Sequence, residues 1–287
     1  METFLLYLKS VIMGFVEGIT EFIPVSSTGH MIIVGQFIDF HKNSGYTPGF
    51  VELFEVVIQL GAILAVIVLY RKKIWRSLKT LKPGGFGFKL WIGLIIAMIP
   101  AGIVAIIDKK ILDDPITNVM MRPLPVAIAL VVGAAWMLFA EWRYRKNDTT
   151  SKLENVTYKQ AFAIGIFQCI AMVWPGFSRS ASTIIGGWIM GLATPVAAEF
   201  AFFLAIPAMI GASGADLITS KAHLTGSEIG ALIVGFIVAF IVALFVVKKF
   251  IEFLKNKPMK NFAIYRLIMG GILILLALFG VINGANM

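Results

Sequence analysis

Two short stretches of this chain carry polar side chains inside apolar runs. The first holds Glu17, Glu21, Ser26, Ser27 and His30. The second holds Ser178, Arg179, Ser180, Ser182 and Thr183. Charges at membrane depth are costly and mark functional sites by default. Glu17 and Glu21 are four residues apart, so they share one helical face about one turn apart. Neighbouring carboxylates in a low dielectric repel, and they call for a cation, a shared proton or water. Arg179 follows Ser178 at a point where a helix can start anew. Backbone N–H groups at such a start, joined by hydroxyls and a guanidinium fork, form an anion site suited to phosphate. His30 follows Ser27 by three residues, within reach of the same pocket. No His–Cys cluster with zinc spacing is present. A hard divalent cation, Mg²⁺ or Ca²⁺, held by Glu17, Glu21 and the phosphates of a substrate fits better. The blander reading locks the two glutamates to Arg179 as a structural ion pair, and uses some of Thr28, Ser180 and Ser182 as bonds between helices.

The surroundings of these residues are those of a membrane protein. Of the 287 residues, 59% are hydrophobic and 14% charged, and the mean hydropathy is +0.88. Soluble globules are roughly 45–50% apolar and about 25% charged. A soluble enzyme, a disordered chain and a nucleic-acid-binding domain are excluded. The net charge of +9 therefore reads as basic loops facing anionic lipid, with no nucleic-acid partner. Cys169, the single cysteine, permits no intrachain disulfide and reads as a packing residue. The apolar N-terminus lacks a basic leader and carries Lys9, so it reads as part of the folded chain.

A membrane span needs about 20 apolar residues. Six segments qualify: about 53–70, 90–107, 124–142, 197–217, 229–247 and 263–282. Two further stretches, about 4–40 and 162–192, are broken around Pro24–Gly29 and Pro175–Ser180. Freed backbone groups at such breaks need partners inside protein, which suits re-entrant helical hairpins. One set of connections holds Arg71, Lys72, Lys73, Arg76, Lys79, Lys82, Lys89, Arg143, Arg145, Lys146, Lys152, Lys159, Lys248, Lys249, Lys255, Lys257, Lys260 and Arg266. The other holds Lys9, Lys42, Lys109, Lys110, Arg122 and Lys221. The positive-inside rule makes the first set cytoplasmic. Six crossings then leave both termini outside, and the count closes only if each broken stretch enters and leaves on one side.

The two broken stretches resemble each other. At one fixed offset Gly14 falls on Gly165, Glu17 on Gln168, Pro24 on Pro175 and Ser27 on Ser178. With a shorter loop, Glu55-x4-Leu60 matches Glu199-x4-Leu204. The expected architecture is thus a single all-α integral membrane domain with an inverted-topology repeat. Residues 1–146 give one hairpin plus three spans, and 155–287 give the inverted copy. In such folds the broken helices meet at one site near the midplane. Glu55 and Glu199 rank second as site residues, bracing the hairpins, and His41 and His223 fall in loops.

The run from Glu17 to His30, Glu-Gly-Ile-Thr-Glu-Phe-Ile-Pro-Val-Ser-Ser-Thr-Gly-His, resembles the first signature of the bacterial undecaprenyl-diphosphatase family of the bacitracin-resistance type. The run Pro175-Gly176-Phe177-Ser178-Arg179-Ser180-Ala181-Ser182-Thr183 resembles its second signature. The resemblance covers essentially the whole chain. It implies a phosphatase of the bacterial plasma membrane that hydrolyses undecaprenyl diphosphate to undecaprenyl phosphate and inorganic phosphate. Such an enzyme recycles the lipid carrier for peptidoglycan and protects against bacitracin. It implies functional roles for Glu17, Glu21, Ser27, His30, Ser178, Arg179 and Thr183, with Ser26 adjacent.

On that footing the expected site faces the extracytoplasmic side. The polyprenyl tail of the lipid substrate lies between helices, among membrane lipids. Arg179 clamps phosphate, with Ser26, Ser178, Ser180, Thr183 and backbone N–H groups as the cradle. Glu17 and Glu21 hold the cation, or one of them serves as base. Ser27 is the expected nucleophile with His30 as general acid–base; His30 as nucleophile and direct attack by water stay open. A carrier of polyprenyl phosphate or another anion would show the same inverted hydropathy, and the Ser27–His30 pair favours an enzyme over it. Oligomeric state is not set by the sequence, which allows a homodimer.

Overall fold

The computed structural model describes residues 2–41, 45–108, 119–146 and 148–282. Lys42, Lys109 and Lys110, used above for orientation, lie outside the described residues. The architecture is all-helical: α1 (Glu2–Thr20), α2 (Ser27–Phe37), α3 (Phe50–Leu69), α4 (Arg71–Lys79), α5 (Phe86–Ile106), α6 (Pro123–Tyr144), α7 (Tyr158–Val173), α8 (Arg179–Ile189), α9 (Thr194–Thr219), α10 (Gly226–Asn256) and α11 (Lys260–Leu278). Seven of these, α1, α3, α5, α6, α9, α10 and α11, are long and apolar enough to cross a membrane. Six are the expected spans, with ends moved by a few residues. The exception in length is α10, whose 31 residues extend through Lys248, Lys249 and Lys255, about 46 Å at 1.5 Å per residue. A capping box of Thr225 and Glu228 starts it, and one of Thr157 and Gln160 starts α7.

The seventh apolar helix is the first arm of a hairpin. After α1 the chain turns at 21–26 and runs back as α2. Lys9, midway along α1, donates from Nζ to the carbonyl of Asp39, just past the end of α2, at 3.1 Å. The second hairpin closes in the same way: Gln160 Nε2, near the start of α7, donates to the carbonyl of Met190 after α8 at 2.9 Å. The second arm thus returns to the level of Lys9, midway along α1, in the first stretch and to that of Gln160, near the start of α7, in the second.

Both first arms lie against a span from the other half of the chain. α1 packs along α10, and α7 along α5. Glycine permits the approach: a Cβ on Gly14 would lie 2.5 Å from the carbonyl oxygen of Gly235, and one on Gly165 would collide with that of Ala97. These are the two glycines aligned in the sequence, at matching crossings. Elsewhere α3 packs on α10 and α6 on α11.

Arg266 overturns one expectation. It is no loop charge: it lies within α11 and is fully buried. The remaining basic residues of its set still outnumber those of the other set.

Candidate functional site

The two breaks meet. α2 and α8 each begin at a serine N-cap with a left-handed backbone, Ser26 at φ 70° and Ser178 at φ 76°. Each cap hydroxyl accepts from the backbone N–H three residues on, Ser26 from Gly29 at 3.4 Å and Ser178 from Ala181 at 3.3 Å. A non-glycine residue in this region is uncommon and strained, and having it at both breaks marks them as equivalent. It also corrects the alignment. One residue separates Pro24 from Ser26, whereas Gly176 and Phe177 separate Pro175 from Ser178. The structural counterpart of Ser178 is thus Ser26, and Ser27 corresponds to Arg179. Both occupy the first position of their helices, where free N–H groups and the positive end of the helix dipole face a ligand.

Glu21 joins them. Its Oε2 accepts from Ser27 Oγ at 2.6 Å, and its Oε1 accepts from Arg179 Nη2 at 2.8 Å. The Arg179 guanidinium also approaches Met209 Sδ at 3.6 Å and stands 5.9 Å from the Phe22 ring centroid. The structural ion pair raised above therefore exists, with Glu21 as its acid. It opens on a cavity of about 510 Å³ lined at its polar end by Glu21, Ser26, Ser27, Thr28, Ser178 and Arg179. Gln59 and Gln168 also line it, and much of the remaining wall is apolar, including Met98, Ala101, Gly102, Ala105, Gly211 and Ala212.

Other expected site residues lie behind this wall. His30 is buried against α11: one ring nitrogen, Nδ1, is 2.7 Å from the carbonyl of Ser26, and Nε2 is 2.6 Å from the Tyr265 hydroxyl. A carbonyl only accepts, so Nδ1 carries the proton and Nε2 accepts from Tyr265. The imidazole is thereby engaged away from the cavity and supports the Ser26 loop; the partner of the Ser27 hydroxyl is Glu21. Thr183 Oγ1 donates to the carbonyls of Arg179 at 2.9 Å and Ser180 at 3.2 Å. Ser180 Oγ donates to Ile23 O at 3.2 Å across the breaks. Both brace the second half-helix and are not among the cavity-lining residues.

Glu17 is buried, with Glu21, Glu55 and Arg179 as the charges around it. Its Oε1 has no hydrogen-bond partner among the described residues. No group of three or more His, Cys, Asp or Glu side chains gathers among the described residues to hold a metal. Glu17 is not among the cavity-lining residues; its orphaned oxygen beside a second carboxylate fits a hard cation. Glu55 pairs with His41 at 3.0 Å and Glu199 with Lys73 at 2.7 Å, both outside the site.

Four residues were missed from sequence. Gln59 and Gln168 line the cavity, and Gln168 is buried with Oε1 unpartnered among the described residues. Polar side chains in apolar spans were the available signal for both. Tyr265 and Arg266 were hidden by their place near the start of a span, where basic residues ordinarily belong to the loop.

Residues 10–272 match the family described as bacitracin resistance protein BacA. Similar proteins include undecaprenyl-diphosphatases from Clostridium novyi (51% identical, covering 99% of this chain and all of that protein) and Clostridium tetani (49%, covering 97% and 99%). Another, from Ruminiclostridium cellulolyticum, is 48% identical and covers 98% of this chain and 99% of that protein.

Proposed function

Because the chain belongs to the bacitracin resistance protein family, we propose that it is a multi-pass membrane hydrolase that converts undecaprenyl diphosphate to undecaprenyl phosphate and inorganic phosphate. This reaction returns the lipid carrier to peptidoglycan synthesis and removes the form that bacitracin binds. We place it in the bacterial plasma membrane with the cavity toward the extracytoplasmic side, on the strength of the basic connections at the opposite face. We read residues 1–146 and 155–287 as inverted repeats whose breaks build one site.

One observation carries the chemistry: Ser27 Oγ is 2.6 Å from a carboxylate oxygen whose partner oxygen holds Arg179. Glu21 takes the Ser27 proton as Oγ attacks the terminal phosphorus. The bond from that phosphorus to the bridging oxygen breaks, and undecaprenyl phosphate leaves. Glu21 passes its proton to the departing undecaprenyl phosphate, then takes one from the water that attacks the phosphoserine and returns it to Ser27 Oγ as the Oγ–P bond breaks and inorganic phosphate departs. Arg179 and the N–H groups of the two half-helices hold the phosphoryl oxygens, since this class of reaction needs mainly positioning and charge neutralisation. Glu17 and Glu21 would hold Mg²⁺ or Ca²⁺, which supplies further neutralisation of the diphosphate when bound. His30 positions the Ser26 loop.

The test is phosphate release from undecaprenyl diphosphate by the purified protein, with magnesium, calcium or EDTA, beside Ser27→Ala, Glu21→Gln and Arg179→Ala. Turnover that needs all three side chains, with phosphate trapped on Ser27, is the expected result. A phosphohistidine at His30 would sink the Ser27 assignment. Lipid flux in proteoliposomes without hydrolysis would move the protein to the carrier class.

A further inference from the structure

We propose that Arg266 is a positioning residue for the reaction read above, fixing the separation of the two interrupted helices so that Ser27 and Arg179 face one phosphoryl group. Its guanidinium is fully buried and reaches both breaks at once. Nη1 donates to the carbonyl of Pro24 at 3.2 Å; Nη2 donates to those of Phe177 at 2.8 Å, Gly176 at 3.2 Å and Ala129 at 3.4 Å. Pro24 lies two residues before the Ser26 cap, and Gly176 and Phe177 immediately precede the Ser178 cap.

The need for such a group follows from the breaks. At each helix start the N–H groups face the cavity, and the carbonyls of the preceding turn are left without helical partners. Buried carbonyls require donors. Separate donors on each side would satisfy them without fixing the distance between them. One planar fork bonded to both sides fixes that distance, which a lysine ammonium on a flexible stem does not. The guanidinium occupies a slot opened by Gly133: a Cβ there would collide with Nη2. Its far face lies 5.9 Å from the centroid of the Phe177 ring, which Trp136 meets edge-on at 5.7 Å. The fork is thus held by packing as well as by hydrogen bonds, as a distance-setting group must be.

Gly133→Ala displaces the fork by one methyl and keeps its charge; Arg266→Lys keeps the charge and loses the fork. Both are compared with the wild type for undecaprenyl diphosphate turnover and thermal stability in detergent. The expected result is a kcat lowered about 100-fold, the scale of an ångström-level misplacement, with KM unchanged. The two changes should be non-additive, because the lysine side chain no longer meets the alanine methyl. Folded variants with wild-type kcat overturn the proposal, whatever their melting temperatures. Loss of folded protein in both variants also overturns it, making Arg266 a structural strut. Absence of turnover in the wild type is a different failure: it removes the phosphatase reading and this proposal with it.

Discussion

On the proposed repeat, the two sides of the bundle are built from corresponding helices, and the cavity lies on one of them. If Gly165 against Ala97 matches Gly14 against Gly235, α5 corresponds to α10, and Glu199 against Glu55 sets α9 beside α3. α3 and α10 close tightly: a Cβ on Gly61 would lie 2.5 Å from the carbonyl oxygen of Phe236. Their counterparts α9 and α5 stand apart around the cavity. Residue pairs explain the difference. Gly102, Gly211 and Ala212 on the open side correspond to Phe240, Ile67 and Val68 on the closed side, and cavity-lining Gln59 corresponds to Phe203, which is fully buried. The open side also carries Pro100 and Pro207 inside its helices, against Val238 and Ile63. Proline removes a helical hydrogen bond and lets a helix bend away from its neighbour. On the proposed repeat, one template yields a packed seam and a cavity by changes in side-chain volume and two prolines.

The hairpins diverge in the same way at their chemistry. Ser27 and Arg179 hold equivalent first positions, and both meet Glu21, which only the first hairpin supplies. Its counterpart in the second is Met172. The largest expected effect therefore comes from exchanging them. Ser27→Arg with Arg179→Ser should lower phosphate release by roughly 10³-fold or more, the scale of losing an arginine that stabilises a transferring phosphoryl group. Arg179→Lys alone should be nearly as damaging as Arg179→Ala, because a point charge does not replace the fork. Substantial turnover by the exchanged protein would mean that the two positions are interchangeable, and that the asymmetry of the acids is unimportant.

A second test makes the open side resemble the closed one. Gly102→Phe with Gly211→Ile installs the counterpart residues in the cavity wall. A Cβ at either glycine meets no atom within 4 Å, so the fold should persist. kcat/KM for undecaprenyl diphosphate should fall roughly 10–200-fold, as when a pocket is changed by one or a few carbon groups. The same turnover as wild type in a folded double variant would show that the lipid approaches elsewhere.

This asymmetry also explains what the sequence concealed. The polar clusters, the breaks and the six long spans were legible because each is a local departure from, or run of, apolar pattern. The meeting of Glu21 with Ser27 and Arg179 was legible in outline, since both breaks carried groups of opposite charge. His30 stands three residues from Ser27, a neighbouring position on a helix, but its ring is held by the carbonyl of Ser26 and the hydroxyl of Tyr265, and the second of these partners, 235 residues away, is not visible in the sequence. The Ser27-on-Ser178 alignment failed because Pro-Gly-Phe-Ser has one residue more than Pro-Val-Ser, and a gap of one is invisible without the caps. Arg266 was hidden for the opposite reason: a basic residue six positions into a span ordinarily snorkels to the interface, and only the carbonyls converging from two distant breaks reveal its use.

The smallest effects concern stability and separate the two seams most cleanly. Gly61→Ala places a methyl against the Phe236 carbonyl between two backbones, which have no flexible side chain to yield. Overpacking of this kind costs about 1–3 kcal/mol. Gly102→Ala adds the same methyl on the matching face of the bundle, where the cavity leaves it without a neighbour, and should fall within about 0.5 kcal/mol of wild type. Thermal unfolding in one detergent reads both, and phosphate release should be nearly unchanged in each because neither methyl touches the polar end of the cavity. Equal losses of stability at the two sites would mean that the space beside Gly102 tolerates a methyl no better than the α3–α10 seam does. The opening would then owe nothing to the small residues, and the prolines alone would have to account for it.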